Sequence, residues 1–216
     1  MKILDLFCGA GGAGEGYKQC GFEVTGIDNI PQPKNPHKFI LADAFEYLIS
    51  KGYKYDAIHA SPPCQAYSKS TLQWRNEGYK YPDVIKSLRK LLIMSNKPYI
   101  IENVPGSPLI NPIYLNGSSF NIKIHRLRLF ETSFKVIQPK VPHIRPVKMG
   151  RPIKEGDVLQ PVGHFSGVNY AKKEMGISWM GQKELAQAIP PIYTKYIGKF
   201  LIKELCYREV VILKKR

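Results

Sequence analysis

The sequence predicts an α/β fold, a mostly parallel central sheet with helices on both faces. Three observations predict it. Short apolar runs alternate with amphipathic segments through the first half of the chain. A glycine-rich turn follows the first run at once. Asp28, Asp43, Cys64 and Glu102 all fall at or just past the ends of successive runs. Ligands of such sheets sit at the carboxyl ends of the strands, so this coincidence points to a site.

The elements follow in order. Lys2 to Phe7 reads as the first strand, and residues from about Gly14 to Cys20 as the first helix. Phe22 to Ile27 is a second strand that ends in Asp28, and Lys38 to Ala42 a third that ends at Asp43. A helix runs from Ala44 to Ser50, and Tyr55 to Ala60 is a fourth strand. Val84, Ile85, Leu88, Leu91 and Leu92 recur at helical spacing, which predicts a helix over Asp83 to Met94. Pro98 to Ile101 is a fifth strand ending at Glu102, and Arg126 to Phe134 a further one. From Gln138 to Pro152 proline and basic residues predict a long loop or small lobe. Gln182 to Ile189 reads as a helix stopped or kinked at Pro190-Pro191. Tyr193 to Leu205 reads as an amphipathic helix that packs back on the sheet, and Lys214-Lys215-Arg216 as a frayed end.

The 216 residues suit one domain, with or without a small appendage, and carry a net charge of +15. Many of the lysines belong to a solvated surface, but the excess also favours a polyanionic partner, nucleic acid above all. Cys8, Cys20, Cys64 and Cys206 lack metal-ligand spacing, so no zinc or other metal site is expected. Met1-Lys2 leads directly into a strand, and no apolar run approaches the roughly 18 residues of a span. We therefore expect no membrane association and a reducing cytoplasm, in a bacterial cell or a phage or viral host.

Two motifs carry chemistry. Gly9, Gly11 and Gly14 give GxGxxG spacing between a strand and a helix, and Asp28 closes the next strand. Such glycines let the backbone approach a ligand, and the carboxylate suits a ribose diol, as in a dinucleotide site. Asp43 adds a carboxylate for an adenine amino group, and that pair fits S-adenosylmethionine, an adenosine without pyrophosphate. In Ser61-Pro62-Pro63-Cys64-Gln65 two prolines stiffen a strand-end turn that presents a single thiol. A thiol presented in this way is a candidate nucleophile in its thiolate form. Glu102, in Glu102-Asn103-Val104, sets a carboxyl at the next strand end, a candidate acid if its pKa were raised in a closed pocket.

Together these residues resemble the DNA (cytosine-5) methyltransferase family. The matching segments are Asp5 to Gly12, Gly26-Ile27-Asp28, Ala42-Asp43, Ser61 to Gln65, Glu102-Asn103-Val104, Arg126-Leu127-Arg128 and Gln187 to Pro191. The resemblance covers about residues 1 to 134 and 182 to 202. It implies a Rossmann-like S-adenosylmethionine-dependent methyltransferase fold, with a catalytic domain over 1–131 and 182–206. It implies catalytic Cys64, whose thiolate would add to carbon 6 of cytosine and make carbon 5 nucleophilic, and Glu102, which would hydrogen-bond or protonate ring nitrogen 3. It implies catalytic Arg126 and Arg128 as well, holding the base carbonyl and the backbone near the thiol. It implies Phe7, Gly9, Gly11, Gly12, Asp28, Asp43, Pro63 and Gln187 toward S-adenosylmethionine, with S-adenosylhomocysteine as product. Gln65, Ser68, Asn103 and Val104 would face the substrate. The stretch Ala66 to Tyr81, with Lys69, Trp74, Arg75, Tyr79, Lys80 and Tyr81, would close over a flipped base.

Two departures qualify the resemblance. Residues 132–181 leave room for only a small basic target-recognition lobe, carrying Lys135, Lys140, Arg145, Lys148, Arg151 and His164. Gln187 stands where the family usually has asparagine. Double-stranded DNA is the expected substrate. Single-stranded DNA, RNA or a free cytosine nucleotide stay open, as does a non-catalytic nucleic-acid-binding role. The high positive charge favours a polymer over a mononucleotide. A nicotinamide-dependent dehydrogenase lacks a hydride-handling site. Restriction protection, phage genome modification and regulation are all compatible roles.

Overall fold

The computed structural model describes residues 1–147 and 152–213. Its strands are β1 (Lys2–Leu6), β2 (Glu23–Asp28), β3 (Lys38–Leu41), β4 (Ala57–Ala60), β5 (Tyr99–Asn103), β6 (Ile113–Leu115) and β7 (Arg128–Thr132). Its helices are α1 (Gly12–Lys18), α2 (Ala44–Lys51), α3 (Leu72–Asn76), α4 (Ile85–Met94), α5 (Val168–Met175), α6 (Gln182–Leu185) and α7 (Pro191–Leu213). The strands form one sheet in the order β3-β2-β1-β4-β5-β7-β6. Neighbours from β3 to β5 run parallel, whereas β7 is antiparallel to both β5 and β6. The expected α/β fold with a mostly parallel sheet is the observed one.

Side chains alternate between the two faces of the sheet, as the period of two requires. Ile3, Ala57 and Ile100 pack with Tyr17, Tyr193 and Ile197 beneath α1 and α7. Leu4, Ile58 and Ile101 pack with Leu48, Leu88 and Leu92 beneath α2 and α4. By that alternation Asp5, His59 and Glu102 all fall on the α1–α7 face, toward the strand ends.

Several boundaries differ from those expected, each for a physical reason. The first helix begins at Gly12 rather than Gly14, because Gly11 caps it in the left-handed region at φ +82°. β7 starts at Arg128, because the Arg126 amide donates to Asn116 Oδ1 at 2.7 Å instead of to a ladder. The Pro190-Pro191 pair opens α7 rather than stopping the helix before it, since proline suits a first helical turn. α6 accordingly ends at Leu185. The short elements β6, α3 and α5 carry too little periodicity to be read from sequence. Left-handed Gly167 and Gly176 nevertheless bracket α5.

The stretch after β7 packs partly on the main body. Leu159, Phe165, Ala171, Met175, Ile177 and Met180 share a core with Ala10, Ile124, Leu185 and Ala188. Lys135, Lys140, Arg145 and His164 are exposed. Lys148, Arg151 and the terminal Lys214-Lys215-Arg216 lie outside the described residues. No described helix is long and apolar enough to cross a membrane.

Candidate active site

The glycine turn leaves β1 through Phe7, whose φ of +58° is rare for a non-glycine residue. Gly9 follows at φ +49°, and a Cβ there would meet nothing within 4 Å. The turn is therefore open at Gly9. It is closed at its next glycines. A Cβ on Gly11 would come within 2.7 Å of Asn35 Oδ1, and one on Gly12 within 2.7 Å of the Ile189 carbonyl. Those two positions give up their side chains to neighbouring protein.

Asp28, at the end of β2, accepts from the Gly9 amide through Oδ2 (3.0 Å) and from the Ile30 amide through Oδ1 (3.0 Å). Each carboxylate oxygen keeps lone-pair capacity for a hydroxyl. Asp43 caps α2, with Oδ1 accepting from the Phe45 (2.8 Å) and Glu46 (3.0 Å) amides. Phe7 meets Phe45 edge-on at 6.4 Å between centroids. An open glycine, a half-buried carboxylate and an aromatic ring at adjacent strand ends fit an adenosine-bearing cofactor. Pro63 and Gln187 are exposed.

The thiol lies one strand over. Ser61 continues β4 by donating its amide to the Leu6 carbonyl at 3.1 Å. Cys64 is half-buried in the turn that follows, and its carbonyl accepts from the Tyr67 and Ser68 amides, each at 2.9 Å. Buried Asn103 fixes this turn from β5, since its Nδ2 donates to the Pro62 carbonyl at 2.9 Å. Its Oδ1 accepts from the Val104 amide at 2.9 Å. The Asn103 side chain thus braces the nucleophile's loop.

Glu102 is buried, and its charge reaches the Cys64 thiol. Arg128 Nε stands 3.1 Å from Glu102 Oε1, an ion pair out of line for a hydrogen bond. Burial raises the Glu102 pKa above the usual carboxylate range, against the opposing pull of Arg128, Ser61 and Arg126. Burial and then Glu102 raise the Cys64 thiol, while Arg128 and Arg126 pull it down. The thiol therefore needs to lose its proton before it can attack.

The two arginines are unequal. Arg128 faces the carboxylate. Arg126 is buried, and its Nη1 and Nη2 donate to the Pro161 (2.9 Å) and Ala186 (2.8 Å) carbonyls. Tyr193 Oη of α7 donates to the Arg126 carbonyl at 2.8 Å. Arg126 is thus a clamp between the sheet and the late segments, and it acts on the thiol through its charge alone.

The segment after Cys64 is braced from inside. Arg75 Nη1 donates to the Gln65 (2.8 Å) and Ser68 (2.9 Å) carbonyls, and Ser68 Oγ lies 2.7 Å from Ser70 Oγ. Trp74 and Tyr79 are exposed and meet edge-on at 6.1 Å. Three further residues reach the glycine turn and were not legible in the sequence. Asn35 Nδ2 donates to the Gly9 carbonyl at 3.0 Å, His37 Nε2 lies 3.2 Å from the Gly11 carbonyl, and Trp179 Nε1 donates to the Ala10 carbonyl at 2.8 Å. The one available signal was Trp179, whose indole N–H demands a partner once it packs.

A family model for C-5 cytosine-specific DNA methylase matches residues 1–128. The chain belongs to that family. The match takes in the glycine turn, Cys64, Glu102 and both arginines, and leaves the last helices outside. Among curated proteins, the type II methyltransferase M.AgeI of Thalassovita gelatinovora is 30% identical over 127 residues, 49% of this chain and 28% of that one. M.HgiGI of Herpetosiphon aurantiacus is 30% identical over 116 residues, 48% of this chain and 90% of that one. The chain spans a third or less of the length of M.AgeI and of M.FnuDI of Fusobacterium nucleatum, 28% and 33% respectively. Two solved structures share the fold along nearly the whole chain. One is described as a DNA modification methyltransferase encoded within an E. coli prophage, with TM-score 0.66, 14% identity, and coverage of 94% of this chain and 99% of that one. The other is the Entamoeba histolytica methyltransferase EhMeth, with TM-score 0.61, 16% identity, and coverage of 95% and 98%. The family's methyl donor is S-adenosylmethionine, and this member's open glycine turn with Asp28 suits its adenosine.

Proposed function

We propose that this chain methylates carbon 5 of cytosine in DNA through a transient Cys64 adduct. One observation carries the reading. A half-buried thiol lies within electrostatic reach of a buried carboxyl of raised pKa and of its arginine partner, one strand away from an open glycine turn. Deprotonated Cys64 forms a bond from sulfur to carbon 6. Glu102 gives its proton to ring nitrogen 3 as the ring electrons move toward carbon 5. Burial favours the protonated form of Glu102, and Arg128 stabilises the carboxylate left behind. Bound S-adenosylmethionine supplies an electrophilic methyl group; Phe7, Gly9, Asp28 and Asp43 would hold its adenosine side. The carbon 5 proton then leaves to solvent, the sulfur–carbon bond breaks, and nitrogen 3 returns its proton to Glu102.

Cytosine in a duplex hides this ring edge, so the base is drawn out of the stack. Exposed Trp74, Tyr79 and Lys69 near Cys64 suit stacking and phosphate contact with the extruded strand. The charge of +15 supports a polymeric substrate. The type II names of the curated relatives support a modification role of the restriction-modification kind, and the prophage neighbour a phage setting. The short stretch after β7 favours a second reading, the same chemistry on RNA.

Labelled methyl transfer to duplex DNA, RNA and dCMP in parallel tests both. Duplex DNA is the expected acceptor, and a duplex with 5-fluorocytosine should trap a covalent complex that Cys64→Ser abolishes. Transfer to RNA alone establishes the second reading. Transfer to none of the three overturns both. Bisulfite sequencing of DNA from expressing cells then reports the sequence context.

A further inference from the structure

A row of buried polar groups lies behind the site, and the chemistry above leaves it without a role. Tyr17 Oη, on α1, lies 2.9 Å from His59 Nδ1. His59 Nε2 lies 3.0 Å from Ser61 Oγ. Ser61 follows Ala60, which pairs with Ile101, so Ser61 and Glu102 are neighbours on the same face of the sheet, and Ser61 pulls the Glu102 pKa down against burial. Tyr17 and His59 are fully buried on the face that also carries Glu102. Histidine in a strand among isoleucine and tyrosine is costly unless both ring nitrogens are satisfied, and here both are.

One tautomer of His59 runs the donors in a single direction. Burial holds His59 neutral, with its pKa pushed down to about 3, and holds the Tyr17 phenol protonated. A neutral ring carries one hydrogen, and with that hydrogen on Nε2, Tyr17 Oη–H donates to Nδ1. Nε2–H donates to Ser61 Oγ, and the serine hydrogen is left to point at Glu102. A serine accepting from nothing could rotate away; one that accepts from His59 is aimed.

We infer that Tyr17, His59 and Ser61 form a positioning chain that aims a hydroxyl at Glu102 and so fixes the carboxyl that protonates the base. The inference rests on the role of Glu102 proposed above. His59 and Ser61 act through Glu102 and touch neither base nor donor. The charged and titratable groups facing Glu102 are Arg128, Arg126, Cys64, Asp5 and Tyr193. None of them changes in the variants below, so a moved titration belongs to the chain.

The test reads the Glu102 carboxyl directly by NMR with carbon-13-labelled glutamate, its signal assigned by Glu102→Gln. Ser61→Ala should raise the Glu102 titration midpoint, because a hydrogen bond to the carboxylate is lost. His59→Leu should raise it in the same direction, and the double variant no further than Ser61→Ala alone. His59→Gln, which restores a donor to Ser61, should recover part of the shift. In methyl transfer, Ser61→Ala and His59→Leu should each lower kcat about tenfold, with KM for DNA within about twofold. A midpoint unmoved in Ser61→Ala overturns the inference, as does a drop in thermal midpoint with no change in titration, or additivity of the two variants. If His59→Leu does not fold, Ser61→Ala and His59→Gln decide the question. An active wild type with an unmoved midpoint sinks the chain alone. A wild type inactive on every substrate sinks the methyltransferase reading, while the titration still settles the chain.

Discussion

Cys64 shows how far a single side chain depends on its surroundings. The Pro-Pro-Cys turn explains its presentation, but its reactivity is set by a balance of burial, Glu102, Arg128 and Arg126. Glu102 raises the thiol pKa, so neutralising it favours the thiolate; Arg128 does the opposite. At pH about 8, Glu102→Gln should alkylate at Cys64 several-fold faster with iodoacetamide than wild type, and Arg128→Ala several-fold slower, since one pKa unit is about tenfold in thiolate. Mass-spectrometric counting of the modified thiol over time checks both. Equal rates in all three proteins would mean that the charges do not reach the sulfur.

At the scale of elements, the seam between α1 and α7 decides where the glycine turn sits. Thr194 Oγ1 of α7 donates to the Ala13 carbonyl at 2.7 Å, and Cys20 Sγ just past α1 donates to the Lys195 carbonyl at 3.3 Å. Gly16 is the contact point. A Cβ there would lie 2.1 Å from both the Pro191 carbonyl and Thr194 Oγ1, so backbone would have to move. Gly16→Ala should cost about 2 kcal/mol or more, readable as a lowered urea midpoint with unchanged slope. The GxGxxG spacing of Gly9, Gly11 and Gly14 leaves Gly16 out, because the reason for it lies far along the chain. Strand order was equally out of reach: β7 inserts antiparallel between β5 and β6, and only that insertion brings Arg128 beside Glu102.

For the whole molecule, the buried strand-end carboxyl of Asp5 links the site to stability. Both its oxygens are buried without a hydrogen-bond partner. Burial, then Asp28, raise its pKa from 3.8 to about 8, with Gly14 opposing and Glu102 adding. A carboxyl with a raised folded-state pKa binds its proton more tightly folded than unfolded. Its contribution is complete below about pH 3.8 and is lost as pH climbs through about 8. His59, lowered to about 3, acts with the opposite sign over a lower range. The difference between wild type and Asp5→Asn isolates the carboxyl. Asp5→Asn should gain thermal midpoint over wild type steadily from pH about 4 to about 8. A constant difference across that range would mean that Asp5 ionises in the folded protein as it does in the unfolded one.

The sequence by itself determined the α/β class, the succession of the first five strands with their helices, and the residues proposed to carry the chemistry. These are local matters, because apolar period, glycine freedom and proline stiffness act within a few residues. The tertiary structure alone decided what each of those residues does. It made Arg126 a clamp and Arg128 the partner of Glu102, turned Asn103 into a brace on the Cys64 loop, and connected Tyr17 to Ser61 through His59. Those roles depend on burial and on partners tens of residues distant, and neither quantity exists until the sheet has closed.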